Sequence, residues 1–389
     1  MVPARRIAVI GVGIGGLTSA LALHAAGFGV AVYERAARLA EEGAGLQVTP
    51  NAGRVLVHLG LGPALAACGE EAGEQTFHHF RTGHVLRRVD LGGVAGRFGV
   101  PHYRMHRADL QALLAEALAT RAPDALRLGH RLERVVQRRS EVRLVFADGG
   151  EETADLVVGA DGIRSALRDE LFPEGGRARF TGYVSLRALV PMAKLPEPLR
   201  TARVHFGGGR FLTQYPIRRG ALMNVSAAYC TDSWTEEGWR IRARSGEMRE
   251  AFADFNDDVR ALLACVSDDT AFRWGLFGRE PLRRWVHGRV VLLGDAAHPM
   301  LPYMAQGAAM AIEDAMVLAR ALSASGGHAE EALVRYEAAR LPRANWVAGL
   351  TRTMGAIFHG DVDRYDPNTD GMAGGTPGLF SYDAVTAPV

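Results

Sequence analysis

The sequence contains a single lysine and has no long run of charge of one sign. Lys194 is the only lysine among 45 basic residues, so arginine carries nearly all of the positive charge. The 43 acidic residues almost balance it and leave a formal net charge of +2. Because binding to a nucleic acid needs a clustered excess of basic side chains, we expect no nucleic-acid partner.

Cysteine is also scarce. Cys68, Cys230 and Cys265 are odd in number and widely spaced, so they form neither a disulfide framework nor a metal-binding Cys-x-x-Cys pattern. No histidine spacing suggests zinc or iron. We therefore expect no metal and a reducing, cytoplasmic location. The contents of 48% hydrophobic and 23% charged residues are typical of globular proteins and exclude disordered and coiled-coil classes.

Residues 7–33 lack charged side chains if His24 is taken as neutral, yet we do not expect them to cross a membrane. Glycines at positions 11, 13, 15 and 16 would weaken a membrane helix, and they fall where a tight turn needs them. The pattern instead predicts strand Ile7–Ile10, helix Gly15–Ala26 and strand Val30–Tyr33, a βαβ unit.

The remaining periodicity predicts a dinucleotide-binding domain interrupted by a different kind of sheet. Helices are predicted at Ala52–Leu61, Arg107–Ala119, Met248–Ala264, Gly307–Leu322 and about 330–356. Strands are predicted within Leu126–Phe146, Asp155–Ala160, Phe180–Pro191, Ala202–Tyr215, Ala221–Cys230 and Arg289–Leu293. We therefore expect an α/β fold: a Rossmann-like domain, an inserted, mostly antiparallel β-sheet domain that binds the substrate, and a C-terminal helix.

The domain boundaries follow from this alternation. Residues 1–175 and 276–350 form the two parts of the dinucleotide-binding domain, and residues 176–275 form the inserted domain. Residues 351–389 form a tail rich in Gly, Asp and Pro, of which we expect about the last 25 residues to be mobile or peripheral.

The first predicted turn matches the pattern Gly-x-Gly-x-x-Gly. In this setting Gly11 allows the sharp turn, Gly13 lets the backbone approach a pyrophosphate, and Gly16 permits close packing of helix on strand. The helix start, which includes Gly15, offers free N–H groups to phosphates. Glu34, at the end of the second strand, can accept hydrogen bonds from a ribose hydroxyl. A glycine-rich turn without a ligand remains the alternative, and the motif alone does not separate NAD from FAD.

Two later segments carry a resemblance to a known family. Asp155–Ser165 has the sequence DLVVGADGIRS, and Arg289–Asp314 has the sequence RVVLLGDAAHPMLPYMAQGAAMAIED. With the glycine motif, their order and spacing across residues 6–350 resemble the FAD-dependent aromatic hydroxylases, the para-hydroxybenzoate hydroxylase-like class A flavin monooxygenases. The segments at 41–52 and 106–110 are similar to the branch of salicylate hydroxylase, 3-hydroxybenzoate 6-hydroxylase and 6-hydroxynicotinate 3-monooxygenase.

The resemblance implies tightly but non-covalently bound FAD. It implies that Asp161 faces the cofactor, that Asp295 binds the ribityl hydroxyls, and that Arg107 lies near the phosphates or ribityl chain. Leu132 would contact the adenine side or simply pack in the core. The implied FAD contacts are Gly11, Gly13, Gly15, Gly16, Glu34, Arg35, Arg107, Leu132, Asp161, Asp295, Gly307, Ala308 and Ala309.

The resemblance also implies where the substrate binds. Pro299 would line the chamber where oxygen reacts, and position matching suggests Gln47, Phe211, Tyr215 and Tyr303 as pocket residues. The 6-hydroxynicotinate enzymes carry histidines at three of these four positions, whereas this chain has Gln47, Phe211 and Tyr303. The sequence thus departs from that branch in the groups that would assist deprotonation.

Two further sets of residues are less specific. We expect His298 to be structural, because its match to the family does not place it on the substrate. The substrate carboxylate has three candidate partners, Arg187, Arg210 and Arg218, between which the sequence does not choose.

The implied reaction is the hydroxylation of a small hydroxylated aromatic or N-heteroaromatic acid by a flavin C4a-hydroperoxide. NADH or NADPH would reduce the FAD, and O2 would supply the oxygen atom. One alternative is a tailoring monooxygenase acting on a larger polycyclic or terpenoid product. Another is a non-enzymatic FAD- or NAD-binding protein that kept the scaffold. We expect a monomer or homodimer without a membrane partner.

Overall fold

The computed structural model describes residues 5–39, 43–232, 234, 241–366 and 378–389. Its strands are β1 (Arg6–Ile10), β2 (Gly29–Glu34), β3 (Gly45–Val48), β4 (Glu70–Glu71), β5 (Glu74–His79), β6 (Val85–Asp90), β7 (Tyr103–His106), β8 (Leu126–Leu128), β9 (Leu132–Gln137), β10 (Val142–Phe146), β11 (Glu151–Ala154), β12 (Leu156–Gly159), β13 (Arg179–Pro191), β14 (Arg203–Gly207), β15 (Arg210–Ile217), β16 (Leu222–Cys230), β17 (Ile241–Arg242), β18 (Ala271–Gly278), β19 (Val286–His287) and β20 (Val290–Leu292). Its helices are α1 (Ile14–Ala25), α2 (Pro50–His58), α3 (Gly62–Cys68), α4 (Val94–Phe98), α5 (Arg107–Arg121), α6 (Ala166–Leu171), α7 (Ser245–Ala251), α8 (Asp257–Ala264), α9 (Gly307–Ala324) and α10 (Ala329–His359).

A mainly parallel sheet forms the first layer, with strand order β19-β20-β12-β1-β2-β8. Strands β1, β12 and β20 are almost entirely buried runs of Val, Ile and Leu, as expected where helices cover both faces of a parallel sheet. In the register, Ile10 pairs with Gly159, and Gly159 pairs with Leu292. These strands therefore end at one edge of the sheet, where ligands bind in open α/β folds.

The second large sheet has the order β17-β18-β13-β16-β15-β14-β5-β6 and is antiparallel except where β14 pairs with β5. The predicted α/β fold with a mostly antiparallel second sheet is confirmed. The sheet is not built from residues 176–275 alone, however, because β5 and β6 come from the segment assigned to the dinucleotide-binding domain. Their parallel pairing with β14 joins residues far apart in sequence, which no local pattern reveals.

The described residues after position 350 pack more closely against the rest of the protein than the sequence suggests. Helix α10 continues to His359, so the expected boundary at 350/351 falls within a helix. The expectation of a peripheral end is wrong for residues 378–389. Leu379 and Phe380 are buried, and the Arg54 guanidinium donates hydrogen bonds to the carbonyls of Phe380 and Tyr382. Part of the Gly/Asp/Pro-rich stretch, 367–377, lies outside the described residues.

Across the described ranges, no helix combines the length and the apolar character that crossing a bilayer requires. The uncharged N-terminal stretch forms β1, α1 and β2 in the order predicted.

His78 and His205 stack within the second sheet, with ring centroids 4.8 Å apart. The amide nitrogen of Asn256 lies 3.0 Å from His205 Nδ1. Since an amide nitrogen only donates, this ring nitrogen accepts and carries no proton. Burial, together with the neighbouring His78, lowers the pKa of His205 to about 3. The folded protein therefore holds His205 neutral.

Acidification is expected to destabilise the fold through His205. Its folded pKa of about 3 lies below its ordinary value of 6.5, so below that value the unfolded chain takes up a proton that the folded protein does not. The free energy of unfolding therefore decreases as the pH falls. At one pH unit below the unfolded pKa of His205, the decrease is about 1.4 kcal/mol. Urea unfolding at about pH 7.5 and 5.5 should show a smaller loss in His205→Gln than in the wild type. Equal losses in both proteins would contradict this assignment.

Candidate active site

The predicted dinucleotide-binding segments meet at the shared edge of the parallel sheet. Gly11 follows β1 with φ +105°, and a Cβ placed on it would lie 2.5 Å from the carbonyl oxygen of Ala160, which follows β12. A Cβ on Gly16 would lie only 2.0 Å from the Gly11 carbonyl oxygen. Any side chain at these positions would force the strand and helix apart. By contrast, a Cβ on Gly13 would meet nothing within 4 Å, so the backbone there borders open space.

Helix α9 packs directly against this turn. A Cβ on Gly15 would lie 2.8 Å from Leu293 Cδ2 and 3.0 Å from the Cβ of Ala311 in α9. The start of α1, the end of β20 and the first turns of α9 therefore surround one cleft.

Glu34 is held beside the glycine turn by two backbone hydrogen bonds. Its carboxylate accepts from the Val12 N–H at 3.2 Å and from the Ala36 N–H at 2.9 Å. The group is thus fixed at the end of β2, where a ribose hydroxyl would meet it. Arg35 is exposed immediately beyond it.

Leu132 lies near the same end of the cleft. It begins β9 and packs, partly buried, against the main core. The turn just before it is joined to β2 because the His130 N–H donates to the Glu34 carbonyl at 2.8 Å. Its position fits both the predicted adenine contact and simple core packing.

Asp295 and the start of α9 form the other end of the cleft. The Asp295 Oδ1 atom lies 3.8 Å from where a Cβ on Gly307 would be. No side chain caps the α9 N-terminus and no acidic residue lies in its first turn, so its first N–H groups keep their partial positive charge. Gly307 and Ala308 are half-buried here, whereas the Ala309 side chain is buried in the core.

The charge of Asp295 is balanced across the cleft. Its side chain is exposed to solvent, yet surrounding protein raises the pKa of the carboxyl through desolvation. These two observations agree if the carboxylate faces a concave surface. His298 and Arg107 act in the opposite direction and lower this pKa. Arg107, exposed at the start of α5, therefore borders the same cleft as Asp295.

Asp161 has one oxygen engaged and one free. Its Oδ2 atom accepts from the Ala166 N–H at 2.9 Å and so helps to cap α6. Its Oδ1 atom is buried without a hydrogen-bond partner, and burial raises the pKa of the carboxyl. A buried, unpaired oxygen at the end of β12 is suited to accept from a ligand.

A buried charge network supports the Asp295 segment from behind. The Arg340 guanidinium of α10 donates to Asp314 Oδ1 at 2.7 Å and to Glu313 Oε2 at 2.6 Å, and all three side chains are fully buried. The other Asp314 oxygen contacts His298 Nε2 at 2.6 Å and the Gly294 N–H at 3.1 Å. Burial raises the pKa of Asp314, but the opposite effect of His298 and Arg340 is larger and brings this pKa down to about 2. His298 thus lies in the supporting network.

A small pocket of about 80 Å³ adjoins the cleft through the segment that leads into α9. Ala305, in that segment, has φ +55°, a strained conformation for a residue with a Cβ. The wall is largely apolar, with a few polar groups from β3, β5 and β15. The lining residues are Gln47, Thr49, Gln75, Phe77, Val89, Leu91, His102, Val204, Phe211, Thr213, Pro302, Tyr303, Met304, Ala305, Met354, Phe358 and Phe380.

The four predicted pocket residues separate into two positions. Gln47, Phe211 and Tyr303 line the pocket, whereas Tyr215 lies behind β3, where a Cβ on Gly45 would come within 2.8 Å of its hydroxyl. Burial raises the pKa of the Tyr215 phenol to about 12, against the effect of two nearby arginines and the Gln47 side chain. Pro299 is half-buried beside the Asp295 segment and outside the pocket lining.

The structure distinguishes the three candidate arginines. Arg210 pairs with Asp254 at 2.9 Å, and Arg218 pairs with Asp109 at 2.7 Å. Arg187 has no carboxylate partner among the described residues, and its Nε atom is buried without a hydrogen bond. Desolvation lowers the pKa of this guanidinium, with a smaller effect of the neighbouring Tyr215 in the opposite direction. Arg187 is therefore the candidate with binding capacity to spare.

Two histidines of this region were missed by the sequence analysis. His102 Nε2 lies 2.7 Å from Gln47 Oε1, and His359 Nε2 lies 3.0 Å from the Tyr303 hydroxyl. Each histidine forms a hydrogen bond with a pocket residue, and neither histidine belongs to the sequence motifs that predicted the cleft. His359 ends α10 in a region where the sequence predicted only a tail, so no local signal marked it.

Comparison with known proteins identifies the family. Residues 5–351 match the sequence profile of the FAD binding domain family. The 3-amino-4-hydroxybenzoate 2-monooxygenase PtmB3 of Streptomyces platensis is 42% identical over 357 residues, covering 91% of this chain and 88% of that protein. The chain belongs to the FAD-dependent aromatic hydroxylases.

A second relative supports the branch suggested by the sequence, and a solved structure supports the fold. The 6-hydroxynicotinate 3-monooxygenase of Pseudomonas fluorescens is 38% identical over 355 residues, covering 89% of this chain and 90% of that protein. The crystal structure of Klebsiella pneumoniae HpxO complexed with FAD and uric acid has a TM-score of 0.83 at 30% identity, covering 91% of this chain and 89% of that one. The predicted family and FAD cofactor are confirmed, and the alternative of a non-enzymatic protein is wrong.

The cleft of this hydroxylase fits FAD. The open space beside Gly13 and the uncapped starts of α1 and α9 suit phosphate oxygens and the polar flavin edge. The unpaired Asp161 oxygen and the carboxylates of Glu34 and Asp295 suit hydroxyl donors. The individual FAD contacts remain predictions. The described ranges contain no group of three or more His, Cys, Asp or Glu side chains placed to hold a metal ion.

Replacing the cleft carboxylate should release the cofactor. Asp295→Ala removes the acceptor at the start of α9, so the purified variant should lose its yellow colour. It should bind added FAD at least tenfold more weakly, because a hydrogen bond to a charged group is lost. Tyr215→Phe, a change behind β3, should keep FAD and impair hydroxylation. Flavin absorbance and fluorescence titration measure FAD binding in both variants, and hydroxylated product measures the activity of Tyr215→Phe. An Asp295→Ala protein that retains stoichiometric FAD would rule out the assigned role.

Proposed function

We propose that this flavoenzyme hydroxylates a single aromatic ring that carries a carboxylate and a hydroxyl group. NADH or NADPH serves as reductant and O2 as the source of the oxygen atom. The observation that carries the proposal is the pocket of about 80 Å³ beside the flavin cleft. Arg187, which has no carboxylate partner among the described residues, donates to the Gly45 carbonyl of β3, the strand that also carries the pocket residue Gln47. A cavity of about 150 Å³ accommodates benzene, so this pocket is too small for several rings, and even one ring would also occupy part of the adjoining cleft.

The most similar relatives narrow the substrate class. PtmB3 is named for action on 3-amino-4-hydroxybenzoate, a one-ring acid with a hydroxyl group, and it is 42% identical. The resemblance implies histidines in the 6-hydroxynicotinate branch at three pocket positions that are Gln47, Phe211 and Tyr303 here. We therefore propose an amino- or hydroxybenzoate in preference to a hydroxypyridine acid.

The protein's part in the reaction is to bind, orient and shield the ring. Bound FAD supplies the redox chemistry and the electrophilic oxygen. The apolar wall, including Phe211, Met354 and Phe358, excludes water from the reacting centre. The uncapped start of α9 presents N–H groups that stabilise negative charge at the adjoining edge of the cleft. Arg187 would hold the ring carboxylate.

Action on a polycyclic or terpenoid product is less well supported. Such a substrate would need the pocket to expand well beyond its present volume.

Cys68, Cys230 and Cys265 form no disulfide, which favours a reducing cytoplasm as the compartment.

A substrate panel tests the proposal. The holoenzyme with NADH or NADPH and ¹⁸O2 should convert 3-amino-4-hydroxybenzoate or another one-ring hydroxy acid into a product carrying one labelled oxygen, measured by mass spectrometry. Peroxide must be measured in parallel, because uncoupled oxidation consumes reductant without hydroxylation. Labelled product from polycyclic phenols alone, with only peroxide from every one-ring acid, would overturn the proposal.

Arg187→Gln should weaken substrate binding more than catalysis. The variant loses the charge that pairs with the ring carboxylate, so KM should rise on the order of tenfold or more, while FAD content stays unchanged. Arg218→Gln is the matched control, because that guanidinium pairs with Asp109 away from the pocket, and its KM should not change. An unchanged KM in Arg187→Gln would remove Arg187 from carboxylate recognition.

A further inference from the structure

Segment 378–389, which follows α10 in the chain, contributes one side chain to the wall of the substrate pocket. Phe380 is buried and lines the pocket together with Met354 and Phe358 of α10. Its neighbour Leu379 is equally buried but lies outside the pocket lining. Of these two adjacent apolar residues, therefore, only Phe380 borders the space that a substrate would occupy, whereas Leu379 packs in the surrounding hydrophobic cluster.

The Phe380 ring is fixed by two edge-to-face contacts. It meets the Phe98 ring at 90° and the His102 ring at 87°, with centroids 5.9 Å apart in both pairs. Such contacts favour one orientation of the ring. His102 Nε2 lies 2.7 Å from the Oε1 atom of Gln47, which lines the same pocket. Phe380, His102 and Gln47 therefore form one continuous part of the wall.

Arg54 of α2 anchors the segment through its backbone. The guanidinium donates hydrogen bonds to the carbonyls of Phe380 and Tyr382. It also donates to the Phe98 carbonyl at 2.9 Å and lies 3.8 Å from the Asp383 carboxylate. Hydrogen bonds from a charged donor are stronger than those between neutral groups. One cation thus holds both the backbone that carries Phe380 and the residue against which its ring packs.

Arg343 of α10 anchors the start of the segment. Its guanidinium donates to the carbonyls of Gly378 and Leu379 at 3.0 Å each. The same guanidinium pairs with Glu313 of the buried charge network at 3.0 Å. This part of the pocket wall is therefore tied to the network that supports the Asp295 segment.

Arg320 of α9 holds the remainder of the segment. It donates to the carbonyls of Ala384 and Ala387 at 3.0 Å and 2.6 Å. Arginines from α2, α9 and α10 thus fasten the segment through backbone carbonyls. Because these bonds do not involve the Phe380 side chain, a substitution at this position changes the shape of the wall without removing them.

The pocket has no spare room on the side of the segment. Its volume is about 80 Å³, less than the cavity of about 150 Å³ that accommodates benzene. Added bulk on a bound ring, if it pointed toward segment 378–389, would overlap the Phe380 side chain. Since protein interiors are closely packed and this segment is fastened at several points, the wall does not yield easily.

We propose that Phe380 is a specificity-determining residue, which restricts the substrate to a single ring by closing the pocket on the side of His102. Segment 378–389 serves as a fixed wall, and its arginine anchors are positioning residues that act through it. The inference rests on the proposed function, because it takes the pocket as the substrate site, and it names the side chain that sets the size limit there.

The test compares Phe380→Ala with the wild-type holoenzyme. Two probes carry a carboxylate and a hydroxyl group in para positions: 3-amino-4-hydroxybenzoate has one ring, and 4-hydroxy-1-naphthoate has a second, fused ring. Titrations that follow the absorbance of the bound flavin give the Kd of each probe, and hydroxylated product gives kcat/KM. The preference for the one-ring acid should fall on the order of tenfold or more in the variant, because the second ring then finds space.

Leu379→Ala is the matched control. It also removes a buried apolar side chain, so its Tm should fall as that of Phe380→Ala does. Its preference should equal that of the wild type, because Leu379 does not line the pocket. FAD content should be the same in all of these proteins.

A milder variant keeps the test decisive if Phe380→Ala does not fold. Phe380→Leu retains an apolar side chain and should shift the preference in the same direction by a smaller factor. An unchanged preference in the Phe380 variants that fold would overturn the proposal. An equal shift in Leu379→Ala would also overturn it, because a general loosening of the segment would then explain the effect.

Failure of this proposal can be told apart from failure of the proposed function. A wild type that binds the one-ring acid in preference to the naphthoate but does not hydroxylate it would contradict the proposed function, while the Kd values still test Phe380. Hydroxylation of the one-ring acid with an unchanged preference in the Phe380 variants would contradict the role of Phe380 alone. If the wild type binds neither probe, or binds both equally well, both proposals are wrong.

Discussion

The active-site architecture depends on a buried charge network between the last two long helices and the cleft. Arg340 of α10, without exposure to solvent, pairs with both Glu313 and Asp314 of α9, and Arg343 also pairs with Glu313. Asp314 in turn holds the backbone at Gly294, next to Asp295. Removing one partner of such a buried pair costs about 3–5 kcal/mol, because the remaining charge is left uncompensated. The network thus fixes the position of the Asp295 segment relative to both helices.

The same helices connect the cofactor cleft with the substrate pocket. Glu313 accepts from Asn51, which also contacts Gln306 at the start of α9, and Gln306 donates to Thr49 in the pocket wall. At its far end, α10 brings His359 to Tyr303. A rigid polar framework behind an apolar pocket is what orientation of a small ring requires, since the cofactor carries the chemistry.

The sequence predicted the parts of this site that are local in the chain. Gly11, Gly16 and Glu34 could be placed because a strand, a turn and a helix follow one another within one βαβ unit. Asp295 and Gly307 required the resemblance to a family, since a carboxylate after a strand has many uses. His102, His359 and the addition of β5 to the second sheet were not predictable, because each depends on pairing between segments far apart. The burial of Leu379 and Phe380 was not predicted, because the residues before them are rich in Gly, Asp and Pro.

The central claim is that one cleft holds the flavin and the adjoining small pocket holds a single ring. A crystal structure of the enzyme with FAD and a one-ring hydroxy acid tests it most directly. The account predicts the isoalloxazine between the Asp295 segment and the first turn of α9, with the acid beside Tyr303. Density for the flavin elsewhere, or for the ring outside the pocket wall formed by Gln47, Phe211 and Tyr303, would contradict it.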